Sequence, residues 1–333
     1  MVPTDLIQLR PEGLYCPAGG FHIDPWQPVP LALITHAHGD HARFGMGRYV
    51  AANASVDVLQ ARLGPEAAIG GVAYGAAQAF GETQVSFHPA GHVLGSAQIR
   101  VEHGGEVWVV TGDYKRAADP TCAPFELVPC DALITEATFA LPIYRWEPAE
   151  AVAADVLAWW DGNAARGRAS VLFCYAFGKA QRLLAELARL TDRVVYVHGA
   201  LVELVAIYRA HGIAMLPTEP VAEQARGRDY TGALILAPPS ASGSPWMRRF
   251  RDAATGFASG WMRVRGNRRR RGYDRGFVLS DHADWPALVS TVRGSGAQRV
   301  LATHGNTDAF VAWLAEQGVR AETLRTAYGA END

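Results

Sequence analysis

Short apolar segments separated by tight turns dominate the chain up to about residue 140. Residues 31–35 are almost continuously apolar, which predicts a strand that is covered on both faces. Residues 98–110 alternate apolar and polar positions around Gly104-Gly105, which predicts a β-hairpin. Residues 133–135 predict another buried strand, which ends at Glu136. This region is therefore expected to be rich in β-sheet.

The pattern changes to helical spacing from residue 149 onward. Residues 149–160 and 179–190 carry apolar side chains at helical intervals, and the apolar segments 171–173 and 194–197 predict strands between helices. Alternation of strands and helices predicts a small α/β unit with a parallel sheet. A Gly- and Arg-rich stretch follows at about 240–276, after which apolar strands are expected at 277–279 and 299–302.

Composition limits the class of protein. The 333 residues are 49% hydrophobic and 19% charged, which is typical of a folded chain with one large domain or two medium ones. No apolar run approaches the roughly 18 residues of a membrane span, and residues 1–15 do not resemble a secretion signal. Four scattered cysteines favour reduced thiols over a zinc finger or a disulfide framework. We therefore expect a cytoplasmic protein without a membrane partner.

Positive charge is concentrated in one segment, although the formal net charge is only −2. Ten arginines and two acidic residues lie between Arg248 and Arg275. Such a block either contacts nucleic-acid phosphates or forms a solvated face. Lys179 is a further candidate, because it lies at a predicted helix start, where backbone N–H groups favour phosphate. The expected nucleic-acid contacts are Lys179, Arg248, Arg249, Arg263, Arg265, Arg268, Arg269, Arg270 and Arg271.

A dense group of metal-ligand residue types follows the strand predicted at 31–35. It contains His36, His38, Asp40 and His41. The His-x-His spacing directs two imidazoles to one side of an extended segment, because side chains there alternate with a period of two. Imidazole and carboxylate groups are ligands for zinc, manganese or iron. This segment therefore predicts a metal site.

Three further segments repeat one arrangement, in which a histidine or aspartate stands beside glycine at the end of a predicted strand. The residues concerned are His92, Asp113 and His304. One segment cannot complete two metal sites, so these residues are the expected additional ligands. Asp113 ends the second strand of the predicted hairpin and is well placed to bridge two ions.

These motifs, together with residues 13–19, 21–26, 243–249 and 280–285, resemble the metallo-β-lactamase fold and specifically its β-CASP nuclease branch. Within that branch the chain is most similar to the bacterial ligase-associated DNA exonucleases, which are Artemis-like. The resemblance implies an α/β fold: a metallo-β-lactamase αββα sandwich with an inserted β-CASP α/β domain. The sandwich would be formed by residues 1–146 and 276–333, and the insertion by residues 147–275.

The resemblance also implies two divalent metal ions, with zinc expected and manganese as the alternative. The ligands of the first ion would be His36, His38 and His92, those of the second Asp40, His41 and His304, and Asp113 would bridge the two. Asp24 would orient the ligands from outside the coordination sphere. Glu136 would hold the tautomer of His282, whose imidazole would protonate the leaving oxygen. The expected catalytic residues are Asp40, Asp113, Glu136 and His282.

The implied activity is that of a DNA exonuclease, which hydrolyses phosphodiester bonds with a hydroxide activated by two metal ions. Its substrate would be single-stranded DNA or DNA with free ends, in DNA repair, with a DNA ligase or helicase as partner. An RNA-processing endoribonuclease and a metallohydrolase of a small lactone or thioester remain open. A non-catalytic nucleic-acid-binding module is a further alternative, which the complete ligand set disfavours.

Overall fold

The computed structural model of the chain describes residues 5–264 and 272–327. Their contacts divide them into two compact units. The first unit comprises residues 5–145 and 282–327, and the inserted unit comprises residues 146–281. The second boundary lies later than the expected 275/276, because the strand Arg275–Phe277 pairs with Ala254–Ala258 inside the inserted unit.

The first unit contains two β-sheets, of which one is ordered β1-β2-β3-β4-β5-β6. Its strands are Gln8–Arg10 (β1), Gly13–Cys16 (β2), Phe21–Ile23 (β3), Ala32–Leu33 (β4), Tyr49–Ala52 (β5) and Ile69–Val72 (β6). The strand predicted at 31–35 is shorter than expected. Ile34 still donates to the carbonyl of Val50 (2.8 Å), but the chain beyond it leaves the sheet.

The second sheet of this unit is ordered β19-β18-β11-β10-β9-β8-β7. Its strands are Gln78–Phe80 (β7), Thr83–Pro89 (β8), Ala97–His103 (β9), Glu106–Val110 (β10), Ala132–Glu136 (β11), Arg299–Thr303 (β18) and Arg320–Thr323 (β19). The predicted hairpin is confirmed as β9 and β10, which turn at Gly104-Gly105. The strand predicted to end at Glu136 is β11.

The inserted unit is built on a third sheet, ordered β14-β13-β15-β12-β16-β17, in which every pair of neighbours is parallel. Its strands are Ser170–Phe173 (β12), Val195–Val197 (β13), Thr218–Pro220 (β14), Leu234–Ala237 (β15), Ala254–Ala258 (β16) and Arg275–Phe277 (β17). The predicted parallel sheet is thus confirmed. β12 and β15 are buried along their whole length, because apolar cores cover both faces of the sheet.

The α-helices of the described residues flank these sheets. They are Val56–Leu63 (α1), Ala149–Ala164 (α2), Lys179–Leu187 (α3), Gly199–Ala210 (α4), Trp285–Ser295 (α5) and Thr307–Glu316 (α6). The start of α5 is specified locally, since the Asp284 carboxylate accepts a hydrogen bond from the N–H of Ala287 (3.0 Å). Within the described part of the chain, none of the helices is long and apolar enough to cross a bilayer.

Packing arranges the first unit in layers. One core joins the two sheets through residues such as Phe21, Phe87 and Trp108. A second core joins the other face of the second sheet to α5 and α6, through residues such as Leu288 and Phe310. Mixed sheets covered by helices confirm the predicted α/β class. They also leave the strand ends, where the candidate ligands lie, at the edge of the packed layers.

Candidate metal centre

Strand ends bring the predicted ligands together. β10, β11 and β18 are parallel neighbours, so their carboxyl ends lie along one edge of the second sheet. Asp113 follows β10, Glu136 ends β11, and His304 follows β18. β8 runs in the same direction as β10, because each is antiparallel to β9, and His92 follows it. Three of these residues converge with the segment that follows β4 into a group that we call the histidine cluster, which consists of His36, His38, Asp40, His41, His92, Asp113 and His304.

Asp113 occupies the middle of the histidine cluster. Its Oδ2 atom lies 3.4 Å from Nε2 of His36, 3.5 Å from Nε2 of His41 and 3.9 Å from Nε2 of His92. These separations exceed the roughly 2.7–3.2 Å of an ordinary N–H···O hydrogen bond. All four side chains are buried, at 1% exposure or less. The nitrogen and oxygen donors therefore surround one position that is shielded from solvent.

The histidine cluster divides into two groups that share Asp113 as a neighbour. The ligand atoms of His36, His38, His92 and Asp113 lie within 4.8 Å of one another, and so do those of Asp40, His41 and His304. In the second group, Nε2 of His41 lies 3.7 Å from Oδ2 of Asp40, and the rings of His41 and His304 are stacked at 5.2 Å. Each group offers imidazole and carboxylate donors, which could hold one divalent ion each.

Asp24 and Thr35 orient the cluster from behind. Asp24 Oδ1 accepts a hydrogen bond from the Thr35 N–H (2.8 Å), and Oδ2 accepts one from the Thr35 hydroxyl (2.5 Å). The same Oδ2 lies 2.7 Å from Nδ1 of His41, and the Thr35 hydroxyl lies 3.1 Å from Nδ1 of His36. Because both histidines are held through Nδ1, each turns Nε2 toward Asp113. Such outer contacts fix the ring orientation of metal ligands.

The backbone beside the ligands is held in conformations that few residues adopt. Gly112 has φ +53°, and a Cβ atom there would lie 2.5 Å from the Thr35 hydroxyl oxygen. His304 itself has φ +60°, in the left-handed region that non-glycine residues rarely occupy. Such strain persists only where surrounding structure fixes it, and it clusters at functional sites. Glycine at 112 is therefore required for the close approach of the Asp113 and His36 segments.

Burial keeps several of the cluster imidazoles neutral. Burial, helped by the positive charge of His41, lowers the pKa of His36 to about 3. Burial likewise lowers the pKa of His304 to about 4 and that of His92 well below its ordinary value. A neutral imidazole retains a lone pair, which a metal ligand needs.

The two carboxylates make the same pocket attractive to positive charge. Burial alone would lower the pKa of His41, yet the charges of Asp113 and Asp40 outweigh it and raise that pKa well above its ordinary value. Among the described residues, both Asp113 oxygens, Oδ2 of Asp40 and Nε2 of His36 are buried without a hydrogen-bond partner. Buried polar atoms are normally satisfied, so this donor set fits a divalent cation that is bound at its centre.

Glu136 and His282 form a buried pair next to the cluster. Nδ1 of His282 lies 3.0 Å from Oε2 of Glu136, and Oε1 of Glu136 accepts a hydrogen bond from the Tyr114 N–H (2.8 Å). The ring centre of His282 lies 4.7 Å from that of His92. Ligand atoms of Asp113, Glu136 and His282 lie within 4.8 Å of one another. The arrangement orients the imidazole of His282 beside Asp113.

Three residues that support the cluster were not predicted as site residues. Thr35 holds both Asp24 and His36, as described above. The Ser96 hydroxyl accepts hydrogen bonds from the N–H groups of His92 (3.0 Å) and Val93 (3.2 Å). Arg62, on α1, donates to the carbonyl of Ala37. Thr35 and Ser96 lie inside recognisable motifs, whereas nothing in the sequence distinguishes Arg62 from other surface arginines.

Only some of the arginines predicted to contact nucleic acid lie among the described residues. Arg248, Arg249 and Arg263 are exposed, although Arg263 lies 3.8 Å from the Glu147 carboxylate. Arg265, Arg268, Arg269, Arg270 and Arg271 lie outside the described residues.

Lys179 is not an exposed phosphate contact. Its side chain is 1% exposed, and Nζ lies 3.7 Å from Oδ2 of Asp281. α3 is buried on all sides, so its polar residues find partners inside the unit; Arg182, for example, donates to the Ser280 carbonyl (2.7 Å). We correct the prediction accordingly: the Lys179 ammonium takes part in an internal ion pair.

Comparisons with known proteins relate the chain to a protein named as a DNA ligase and to proteins named as ribonucleases. It is 32% identical over 316 residues to the "Probable DNA ligase" of Opitutus terrae, a match that covers 93% of this chain and 30% of that protein. It is 26% identical to the "RNase J-like protein" of Methanocaldococcus jannaschii (38% of this chain, 32% of that one). It is 36% identical to "Endoribonuclease ysh1" of Aspergillus fumigatus (29% and 11%). The chain thus spans no more than a third of the length of these relatives.

A solved structure extends the likeness to the fold. The crystal structure of a protein of unknown function from Enterococcus faecalis V583 superposes with a TM-score of 0.61 at 13% identity, over 90% of this chain and 80% of that one. No protein-family model matches the chain. Because an RNase J-like protein and an Ysh1 endoribonuclease stand among its relatives, the resemblance that the motifs predicted is confirmed: the chain is related to the β-CASP branch of the metallo-β-lactamase nucleases.

Proposed function

We propose that the chain is a metal-dependent phosphodiesterase that degrades DNA from an end. The observation that carries this proposal is the convergence of two donor groups on Asp113, with a buried histidine–carboxylate pair beside them. Hydrolysis of a phosphodiester needs an activated nucleophile, neutralised phosphate charge and a protonated leaving oxygen. The cluster and its neighbouring pair supply residues for each requirement.

The proposed ligands divide as the two groups do. His36, His38 and His92 would hold one ion, Asp40, His41 and His304 a second, and Asp113 both. Zinc suits this mixture of imidazole and carboxylate best, and manganese is the alternative. Two such ions, when bound, lower the pKa of water and neutralise phosphate oxygens. Asp24 would preserve the orientation of His41 while the site acts.

His282 and Glu136 would manage the leaving-group proton. The Glu136 carboxylate holds Nδ1 of His282, so Nε2 is the nitrogen that would protonate the leaving oxygen. Glu136 is itself held by the Tyr114 N–H, which limits its movement. Asp40 and Asp113 would complete the catalytic set by holding the ions, which would supply the positive charge that binds the reacting phosphate.

DNA is the proposed substrate because the relative that covers most of this chain is named for DNA. The "Probable DNA ligase" of Opitutus terrae matches 93% of the chain, whereas the relatives named for RNA match 38% or less. The same name supports a DNA ligase as a proposed partner, and we also propose a role in DNA repair, with a helicase as the alternative partner. We further propose that residues 146–281 are the β-CASP domain and that the protein acts in the cytoplasm.

An endoribonuclease is the second candidate. The names "RNase J-like protein" and "Endoribonuclease ysh1" of two relatives favour it. Metal ligands act on phosphodiesters of either nucleic acid, so the cluster does not separate these candidates.

A cleavage time course on end-labelled substrates tests the proposal. Single-stranded DNA, duplex DNA and RNA are incubated with zinc or manganese, beside the Asp113→Ala variant. Stepwise shortening of DNA from one end, absent in the variant, is the expected result. Internal cuts confined to RNA would replace the proposal with the endoribonuclease. Failure to cut any of these substrates would contradict both and favour a small-molecule metallohydrolase.

A further inference from the structure

A cleft lined by arginines lies wholly within the inserted unit. Its volume is about 1030 Å³, which is at the upper end of the roughly 300–1,000 Å³ of small-molecule sites. Its arginines come from two separate segments. Arg226 and Arg228 belong to the loop that follows β14, and Arg248, Arg249 and Arg251 precede β16. We call this feature the arginine cleft.

Positive charge predominates in the arginine cleft. Two aspartates, Asp229 and Asp252, line it beside the five arginines. Oδ1 of Asp229 is already engaged, since it accepts hydrogen bonds from the N–H (2.9 Å) and hydroxyl (2.7 Å) of Thr231. The Asp252 carbonyl accepts a hydrogen bond from Arg168 (2.7 Å), which brings a further guanidinium group close to the lining.

The five guanidinium groups are not neutralised by ion pairs. Within the part of the chain that the structure describes, none of them forms an ion pair with a carboxylate. Other exposed arginines of the same unit do: Arg193 lies 2.7 Å from the Asp161 carboxylate, and Arg275 lies 3.3 Å from that of Asp155. The arginine cleft therefore retains uncompensated positive charge, which attracts an anion.

Two of the five arginines are fixed in place by neighbours. The guanidinium group of Arg228 lies 4.8 Å from the Tyr196 ring centre and donates to the Tyr196 hydroxyl. Arg249 donates to the carbonyl of Val221 (3.1 Å). Arg226, Arg248 and Arg251 are exposed, and among the described residues they make no side-chain hydrogen bond. The last three can therefore turn toward a ligand without breaking an existing contact.

The aromatic residues that line the arginine cleft, Tyr230 and Phe250, do not offer stacking faces for bases. Tyr230 is 6% exposed and Tyr196 is 8% exposed. Phe250 is 5% exposed, and the partly buried Tyr273 stacks on Phe257 with ring centres 5.1 Å apart. Stacking on exposed aromatic rings is the usual way to grip unpaired bases. The cleft therefore offers contacts to phosphate, which carry no information about base identity.

We propose that the arginine cleft binds the phosphate backbone of a nucleic-acid strand. One phosphate is satisfied by one or two guanidinium groups, whereas a strand presents a phosphate at every nucleotide and can use all five. The identification of the polyanion as nucleic acid rests on the proposed function. The cleft would bind a segment of the substrate independently of its sequence and of the metal ligands.

The test removes Arg226, Arg248 and Arg251, the three cleft arginines that make no side-chain hydrogen bond among the described residues. Strand binding is measured by fluorescence anisotropy of labelled single-stranded DNA and RNA with R226Q/R248Q/R251Q, in excess EDTA so that no cleavage occurs. Each neutralised phosphate of a single strand contributes about 0.7 to the slope of log K against log salt. The triple variant should therefore flatten that slope by about 2 and raise Kd on the order of tenfold.

A control variant removes the same charge elsewhere. R189Q/R275Q/R320Q changes three exposed arginines outside the cleft and should leave Kd and the salt slope close to wild type. Equal weakening in both triple variants would overturn the proposal, because net charge alone would explain it. Displacement of the strand from wild type by inorganic phosphate at constant ionic strength would also overturn it, in favour of a small-anion site.

The proposed function can fail separately from this inference. Cleavage of the same oligonucleotides by the wild-type chain with added metal reports on the function alone. Strand binding that depends on the cleft arginines, without cleavage, would retain the cleft and reject the nuclease. Cleavage with unaltered binding by R226Q/R248Q/R251Q would retain the nuclease and reject the cleft.

Discussion

The histidine cluster and the arginine cleft differ in burial, in how firmly their side chains are held and in the sign of the charge that they attract. In the cluster, His36, His41 and Asp113 are at most 1% exposed, and Asp24 holds His41 at 2.7 Å. In the cleft, the arginines are exposed and three of them make no side-chain hydrogen bond within the described residues. The cluster gathers carboxylates that favour cations, whereas the cleft gathers guanidinium groups that favour anions.

The difference teaches what each kind of site requires from the fold. Coordination and proton transfer depend on distances of a few tenths of an ångström, so ligand side chains need neighbours that lock their rotamers. Backbone binding through released counterions depends mainly on how many charges a surface presents. Small structural changes should therefore be damaging in the cluster and graded in the cleft.

The largest loss of activity is expected at Asp113, the residue that both donor groups share. Asp113→Ala removes the carboxylate between the groups, and the stabilisation that metal ions give a phosphoryl transition state amounts to several kcal/mol. We expect cleavage of labelled oligonucleotides to fall on the order of 10³-fold or more. The control is Asp161→Ala, which removes an exposed carboxylate beside Arg193 and should keep wild-type cleavage. Activity of Asp113→Ala within a few-fold of wild type would contradict the shared role.

His282, which lies next to the cluster, tests whether proton transfer can be lost while metal binding is kept. His282→Ala should slow cleavage about 10²-fold or more, because general acid catalysis contributes roughly 10²–10⁴-fold. The bound metal, measured by elemental analysis, should stay at the wild-type level. Added imidazole should restore part of the rate, which a purely structural role would not allow. Loss of metal from His282→Ala would instead make this residue a ligand.

Asp24 tests how strongly the outer contacts govern the ligands. Asp24→Asn keeps the size of the side chain but weakens its hold on Nδ1 of His41. Loss of an outer partner typically costs about 10–100-fold in metal affinity, and we expect that range in a chelator competition assay. Asp119→Asn alters an aspartate with a buried side chain that contacts Lys115 and Thr121, two residues outside the cluster. Equal losses in both variants would remove the special role of Asp24.

The salt dependence of strand binding should change in cleft variants while the metal content stays constant, and this effect should be smaller than those above. Raising salt should weaken strand binding by wild type more than by R226Q/R248Q/R251Q, with a difference of about tenfold over a threefold salt range. Metal stoichiometry of the triple variant should match wild type, because no cleft residue belongs to the histidine cluster. A change in bound metal would show that the two regions are not independent.

Two glycine variants test whether the backbone beside the cluster is more sensitive to substitution than an open turn, with thermal stability as the measured quantity. Gly112 and Gly104 have similar positive φ values, +53° and +59°, but only at Gly112 would a Cβ atom meet a neighbour, the Thr35 side chain. Gly104→Ala should cost about 1–2 kcal/mol from the left-handed backbone alone. Gly112→Ala should lower the thermal midpoint by a few degrees more. Equal midpoints for the two variants would mean that the Thr35 contact relaxes freely.

The sequence predicted the cluster better than the cleft for a physical reason. His36, His38, Asp40 and His41 share one segment, and strand ends are the places where a sheet exposes functional side chains. The arginines of the cleft come from segments on either side of β15, and no local spacing brings Arg226 toward Arg251. Such a surface becomes visible only when the strands are assembled.

The same limit explains the wrong prediction at Lys179. A lysine after glycine at a helix start is typical of a phosphate contact, and the local pattern contains nothing against it. Burial of every residue of α3 is a tertiary property, which pairs Lys179 with Asp281, far away in sequence. Helical periodicity also predicted that this helix extends to residue 190, whereas it ends at Leu187.

The central claim is that the histidine cluster is a two-metal centre that cleaves nucleic acid. The most direct test is a titration of zinc or manganese into metal-free protein, with bound metal and cleavage of labelled DNA measured at each addition. We predict two equivalents per chain in wild type, with cleavage that rises as the second equivalent binds, and fewer than two equivalents in Asp113→Ala. Cleavage by the metal-free chain, or saturation without any cleavage, would contradict the claim.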